Sequence, residues 1–194
     1  KLAFDATIRG PVAGPTVAAR LDAQDARLPI GQFGKVGLTF NATPSGSIGD
    51  AGTRIVLTSD GEATGIALAD KALARAVGDK VTFTLRGTGN DDATADFETL
   101  RLALAGMELD YKGKLGQARV LGQLKAVLPD LSRLSGLARR PLGGRAQIVA
   151  DLDATPKADK YAATLDGKAE RVATGDAVVD RLLAGSLTLG GKVG

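Results

Sequence analysis

Residues 2–9 read Leu-Ala-Phe-Asp-Ala-Thr-Ile-Arg, and the reading of this stretch decides the fold class. Leu2, Phe4, Ala6 and Ile8 fall on one side of an extended chain, with Asp5, Thr7 and Arg9 on the other. Successive side chains of a strand point to opposite faces, so this alternation marks a β-strand with one covered face. Gly10-Pro11 then stops it. The same rhythm returns after Gly34 in Val36, Leu38 and Phe40. It recurs in Val81, Phe83 and Leu85, with Thr82, Thr84 and Arg86 opposite, and again in Leu100, Leu102 and Leu104. Ala146, Ile148, Ala150 and Leu152 continue it, and Leu187 with Leu189 closes the series.

Weaker strands are expected over 17–21, 54–58, 62–69, 108–111, 117–124 and 161–165, where alternation is diluted by Ala and Gly. Asp60-Gly61, Asp166-Gly167, Gly89-Asn90 and Pro44-Ser45-Gly46 carry turn chemistry and read as the breaks between strands. Short strands joined by tight turns imply antiparallel neighbours, because parallel strands need long crossovers. The expectation is a mainly β fold of about 12 to 14 strands.

Three stretches break the rhythm and read as short amphipathic helices. Over 128–138, Pro129 and Asp130 suit a first turn, and Leu128, Leu131, Leu134 and Leu137 form a stripe. Asp176 is a credible N-cap for a helix reaching Ala184, with Gly185 beyond it. The third runs from Asp70 to Val77, followed by Gly78.

The last two helices belong to a repeat. With Asp60-Gly61 set against Asp166-Gly167, the next ~25 residues correspond without a gap, a recurrence of the kind that marks repeat arrays. Asp70 meets Asp176, and Arg75 meets Arg181. Ala72, Leu73, Ala76 and Val77 meet Val178, Val179, Leu182 and Leu183. Val81, Thr82 and Phe83 meet Leu187, Thr188 and Leu189, and upstream Ala42-Thr43-Pro44 meets Ala154-Thr155-Pro156. Each unit reads as strand, turn, hairpin, short helix, Gly, strand. The units span about 34–87 and 144–194, with the 128–138 helix between. Units of this kind bury their open faces on their neighbours. The chain opens at Lys1 directly in a strand pattern. The expectation is that residues 1–194 are an internal segment of a longer protein.

Composition excludes several chemistries. Cys and His are absent, so there is no disulfide, no thiolate metal site, and no imidazole base or ligand. There is no Trp, and only 5 Phe and 2 Tyr, so Ala, Leu and Val must line any interior. The 25 basic and 22 acidic residues are interspersed, which reads as a mixed-charge surface rather than a nucleic-acid interface. Asp91, Asp92, Asp96 and Glu98 form an acidic group that reads as a turn, without the ligand spacing of a Ca²⁺ loop. Gly31-Gln-Phe-Gly34 and Gly190-Gly191 lack the Gly-Lys-Ser/Thr of a phosphate loop. There is no Ser-x-x-Lys nucleophile motif and no aromatic platform for bases. No catalytic residue, metal or cofactor is expected, and the chain reads as non-enzymatic.

The apolar strand faces admit two arrangements. Closed on each other, they make a filled sandwich or barrel. Left open, they line a long apolar trough suited to acyl chains, whose transfer from water needs no directional site. Period-two alternation does not choose between them. Missing aromatic girdles disfavour a transmembrane barrel.

The run Leu128-Pro-Asp-Leu-Ser-Arg-Leu-Ser-Gly-Leu-Ala, followed by Pro141-Leu-Gly-Gly-Arg and the strand to Asp153, resembles the TamB translocation-and-assembly module family. Leu165-Asp-Gly-Lys-Ala-Glu-Arg-Val-Ala-Thr-Gly-Asp, Arg181-Leu-Leu-Ala-Gly and Leu187-Thr-Leu-Gly-Gly are similar to the same family. The resemblance covers 106–194 best. It implies an AsmA-like periplasmic protein of a Gram-negative bacterium, anchored in the inner membrane, whose body is an elongated, curled β-sheet with an apolar groove. It implies phospholipid transport between the membranes, outer-membrane protein assembly, and a barrel partner, TamA, reached through parts outside this segment.

On this reading acyl chains slide passively along a groove, and the short helices sit at its edge or plug its ends. The lining would run from Leu2, Phe4 and Ile8 through Val36, Leu38 and Phe40, then Val81, Phe83 and Leu85. It would continue through Leu100, Leu102 and Leu104, then Ile148, Ala150 and Leu152, to Leu187 and Leu189. The rivals are a structural or adhesive cell-surface β-repeat with a filled core, and a polysaccharide-acting β-solenoid. The second needs clustered carboxylates and aromatic sugar platforms, and this chain has few of either.

Overall fold

A computed structural model shows eleven strands in a single sheet whose spatial order follows the chain order from first to last. The structure describes all residues except 92, 117, 156–159, 184 and 194, and excepts the side chains of 182 and 183. Asp92 of the acidic group, Gln117 at a strand start, Pro156 of the repeated Ala-Thr-Pro and Ala184 at a helix end lie outside the described residues. So do the side chains of Leu182 and Leu183.

The strands are β1 (Leu2–Arg9), β2 (Thr16–Leu28), β3 (Gly31–Pro44), β4 (Ile55–Leu68), β5 (Lys80–Gly89) and β6 (Thr94–Leu104). They continue as β7 (Met107–Gly116), β8 (Val120–Leu128), β9 (Gly143–Thr155), β10 (Lys160–Ala173) and β11 (Ser186–Val193). Every neighbouring pair is antiparallel. Mainly β architecture, antiparallel neighbours and short helices are therefore as the alternation and turn chemistry predict.

Three expectations need correction. Asp60-Gly61 and Asp166-Gly167 are not turns; they lie inside β4 and β10. The two short strands expected on either side of Asp60-Gly61 are one strand, so the sheet has fewer and longer strands than predicted. The physical reason is long-range. Asp60 is held by Arg86 on β5 (2.7 Å), and Gly61 lies between Leu38 and Phe83 of its neighbours. The third correction is shape: the sheet is uncurled, not curled. Register is constant along most ladders, and the shifts are confined to those near Arg86, Phe97 and Glu170.

The helices are α1 (Lys71–Val77), a 3₁₀ turn (Leu131–Leu134) running into α2 (Ser135–Ala138), and α3 (Ala177–Leu183). They sit in the β4–β5, β8–β9 and β10–β11 connections. Antiparallel order puts these three connections at one end of the sheet, together with the tight β2–β3 and β6–β7 turns. An aspartate opens each helical segment. Asp70 Oδ1 accepts from the amides of Ala72 (2.8 Å) and Leu73 (2.9 Å), and Asp130 Oδ1 accepts from that of Ser132 (2.9 Å). Asp176 Oδ1 accepts from the amides of Val178 (2.9 Å) and Val179 (3.2 Å). Such caps satisfy amides that have no partner within the helix.

The sheet is open. β1 and β11 are both edges, and no large side chain among the described residues is fully buried. Accessible surface is 12371 Å², against about 8,600 Å² for a compact monomer of this mass. A single layer with two accessible faces accounts for the excess.

Candidate functional site

Residues paired across an antiparallel ladder share a face, and alternate residues along each strand return to it. Applied strand by strand, this sorts the sheet into rows. The central row begins with Phe4, Leu21, Leu38, Gly61, Phe83 and Leu102. It continues through Leu109, Ala126, Ile148 and Gly167 to Leu189. The next row holds Ala6, Ala19, Phe40, Ser59, Leu85 and Leu100, then Tyr111, Leu124, Ala150, Leu165 and Gly191. A third holds Ile8, Val17, Ala42, Leu57, Gly87 and Phe97, then Gly113, Gly122, Leu152, Ala163 and Val193.

None of these three rows contains a charged residue from one edge of the sheet to the other. Their polar side chains are two hydroxyls, each already bonded to the sheet. Ser59 Oγ donates to the Thr39 carbonyl (2.8 Å), and Tyr111 Oη donates to the Lys114 carbonyl (3.2 Å). Burial raises the pKa of the Tyr111 phenol, which keeps it neutral. A fourth row, toward the helical end, begins Leu2, Ala23, Val36, Ala63 and Val81. It includes Leu104 paired with Met107, and ends Leu128, Ala146, Ala169 and Leu187.

All the residues expected to line a groove stand on this one face. Leu2, Val36, Val81, Leu104 and Leu187 are in the fourth row. Phe4, Leu38, Phe83, Leu102, Ile148 and Leu189 are in the central row. Phe40, Leu85, Leu100 and Ala150 are in the second row, and Ile8 and Leu152 in the third. The sequence reading missed Leu21, Leu109, Tyr111, Leu124 and Leu165, which complete the rows. Their strands alternate too, but Ala, Gly and Lys beside them dilute the signal.

Coverage on this face comes from neighbouring side chains and not from a second layer. At the edges Phe4 is 65% exposed and Leu189 55%, whereas inward Leu38 is 37% and Ile148 38%. Phe97 meets Tyr111 edge-on at 6.4 Å between ring centres. The expected trough is therefore a broad apolar surface.

The opposite face carries the charge. Its central row runs Asp5, Arg20, Thr39, Asp60, Thr84 and Arg101 to Asp110. Ion pairs join strands across it: Lys80–Glu62 and Arg86–Asp60 at 2.7 Å, Arg101–Asp110 at 2.7 Å and Arg119–Asp153 at 2.8 Å. Hydrogen bonding from Arg86 holds the Asp60 carboxyl below its ordinary pKa, and Arg119 does the same for Asp153. A depression of about 660 Å³ is bordered by Val127, Gln147, Lys168 and Thr188, which share a row of this charged face.

The remaining candidates take structural parts. Asp91 Oδ2 accepts the Gly52 amide (2.7 Å), tying two loops together, and Asp96 Oδ2 on β6 accepts from Asn90 Nδ2 (2.9 Å) in the β5–β6 turn. Among the described residues no three acidic side chains gather to hold a metal ion, and no helix is long and apolar enough to cross a membrane. Compared with family models, with curated proteins and with solved structures, the chain matches none.

Proposed function

We propose that this chain binds phospholipid acyl chains along its apolar face and passes them across the strands, as one segment of a lipid-transfer sheet in a Gram-negative envelope. The observation that carries the reading is the set of three uncharged rows crossing all eleven strands on a face without a second layer. With ten interstrand steps of ~4.8 Å the face is ~48 Å wide, longer than any one acyl chain. Chains laid on it are held by transfer from water alone, so they slide without breaking directional bonds. Headgroups stay in water beyond the rows. No step needs a cofactor or a reacting side chain. The periplasmic setting, inner-membrane anchoring and the barrel partner TamA come from the family resemblance of 106–194 and stand as part of this proposal.

The filled-core rival needs the apolar rows packed against another layer, and the described residues provide none. The test is photocrosslinking in cells from a probe placed at Leu38 or at Ile148, with Thr39 on the opposite face as control. Lipid adducts from the first two and not the third support the reading. Adducts from Thr39 alone, or no lipid from any of them, would sink it.

A further inference from the structure

At the helical end of the sheet, α1 and α2 pack against each other so closely that a Cβ on Gly136 would lie 2.8 Å from that of Ala72. Their outer surface combines two features. Leu73 on α1 and Leu137 on α2 stand 45% and 48% exposed. On and just beyond the same two helices Lys71, Arg75, Arg139 and Arg140 are exposed, and among the described residues their side chains form no ion pair. Of the nearby acids, Asp70 and Asp130 accept from helix amides, Asp130 is also within the electrostatic reach of Arg75, and Asp79 is exposed. Arg133 reaches back to Asp130 and to the Arg75 carbonyl.

The chain leaves α2 through Arg139, whose φ is +53°. That left-handed position after a helix is normally glycine's, because a side chain there is strained. An arginine at this position keeps a cation at the tip of the molecule at a conformational cost. Guanidinium groups match phosphate oxygens with two parallel hydrogen bonds. Aliphatic tips flanked by such groups suit the boundary between headgroups and acyl chains.

We propose that the α1–α2 tip docks on an anionic phospholipid surface. Leu73 and Leu137 enter the headgroup layer, and Arg75, Arg139 and Arg140 contact phosphates. This contact does not depend on acyl chains binding the sheet face.

The experiment is flotation of the 194-residue chain with vesicles of one-third phosphatidylglycerol in phosphatidylcholine, against phosphatidylcholine alone. The test variant is Arg139→Gly with Arg140→Gln. Glycine relieves the φ at 139, so thermal stability is expected to hold or rise while vesicle binding falls about twenty-five-fold, near five-fold per cation. The control is Lys112→Gln with Lys114→Gln, which removes the same charge from the charged sheet face and is expected to bind as the unaltered chain does. Equal binding to both vesicle types, full binding by the test variant, or an equal loss in the control overturns the proposal. A separate readout, uptake of a fluorescent fatty acid, is expected to be unaffected in the test variant. Loss of that uptake in the unaltered chain, with vesicle docking intact, counts against the acyl-chain reading alone.

Discussion

The phenolic oxygen of Tyr111 on β7 stands over Gly122 on β8, so that a Cβ at position 122 would lie 2.7 Å from it. The same Cβ would meet the Lys112 carbonyl oxygen at 2.5 Å, which is backbone and does not swing aside. Tyr111 thus roofs a place where two strands bring glycines together, Gly113 opposite Gly122. Gly122→Ala is expected to destabilise the sheet by about 1–3 kcal/mol, as overpacking does. Gly37→Ala is the contrast, since its nearest neighbour would be Asp22 Oδ1 at 3.8 Å. That change is expected to be neutral or stabilising by up to about 1 kcal/mol, because strand glycine is entropically costly. Urea unfolding midpoints of the two variants check this.

Stability is expected to decline on acidification, in part through Asp60. Its carboxyl accepts from Arg86 (2.7 Å) and Thr84 (3.2 Å), and its folded pKa is lowered. A depressed folded pKa means the unfolded chain takes the proton first. The contribution is present above the ordinary carboxylate range and is lost as pH falls through the folded value. The pair is half-exposed, so its worth is under about 1 kcal/mol. Asp60→Asn is expected to lower the melting temperature slightly at pH 7, with the gap closing below about pH 4.

Acyl-chain affinity is expected to depend on length. Full burial of a methylene is worth ~0.8 kcal/mol, and a chain lying on an open face is covered on about one side, so affinity rises about two-fold per CH₂. Displacement titrations with a series of saturated fatty acids measure this. Leu38→Asp, which puts a carboxylate into the central row, is expected to abolish most of that binding. Lys125→Asp, in the central row of the opposite face, is expected to leave it unchanged.

The helices depend on their opening aspartates. Asp70→Ala removes acceptors for the Ala72 and Leu73 amides and is expected to cost about 1 kcal/mol. The loss is local to a seven-residue helix outside the strand ladder. Hydrogen exchange is therefore expected to speed up over 71–77 while the amides of β3 and β4 keep their protection. Equal loss of protection in both places would contradict this.

The apolar face was legible in the sequence because it is a local property. Leu2, Phe4 and Ile8, or Val81, Phe83 and Leu85, declare their face by spacing alone, and pairing then aligned every such set. The central position of Asp60-Gly61 was not legible. Asp-Gly favours turns locally, and what keeps it extended is Arg86 on the next strand and the close approach of Leu38 to Gly61. Nor does alternation say what lies over a covered face, so the choice between a filled sandwich and an open layer rested on tertiary structure. Leu137 shows the same limit: its spacing continues that of Leu128, Leu131 and Leu134, yet it is exposed on a helix of four residues.

Each strand pairs with its sequence neighbours only, and the number of strands is odd. The two borders of the sheet consequently point the same way. Excising a hairpin such as β6–β7 would bring the end of β5 directly to the start of β8, because both lie at the same end. Phe83 would then stand beside Ala126 with the uncharged rows still in line. The span of the surface is thus adjustable in increments of two strands, ~9.6 Å each, without re-designing any residue that remains.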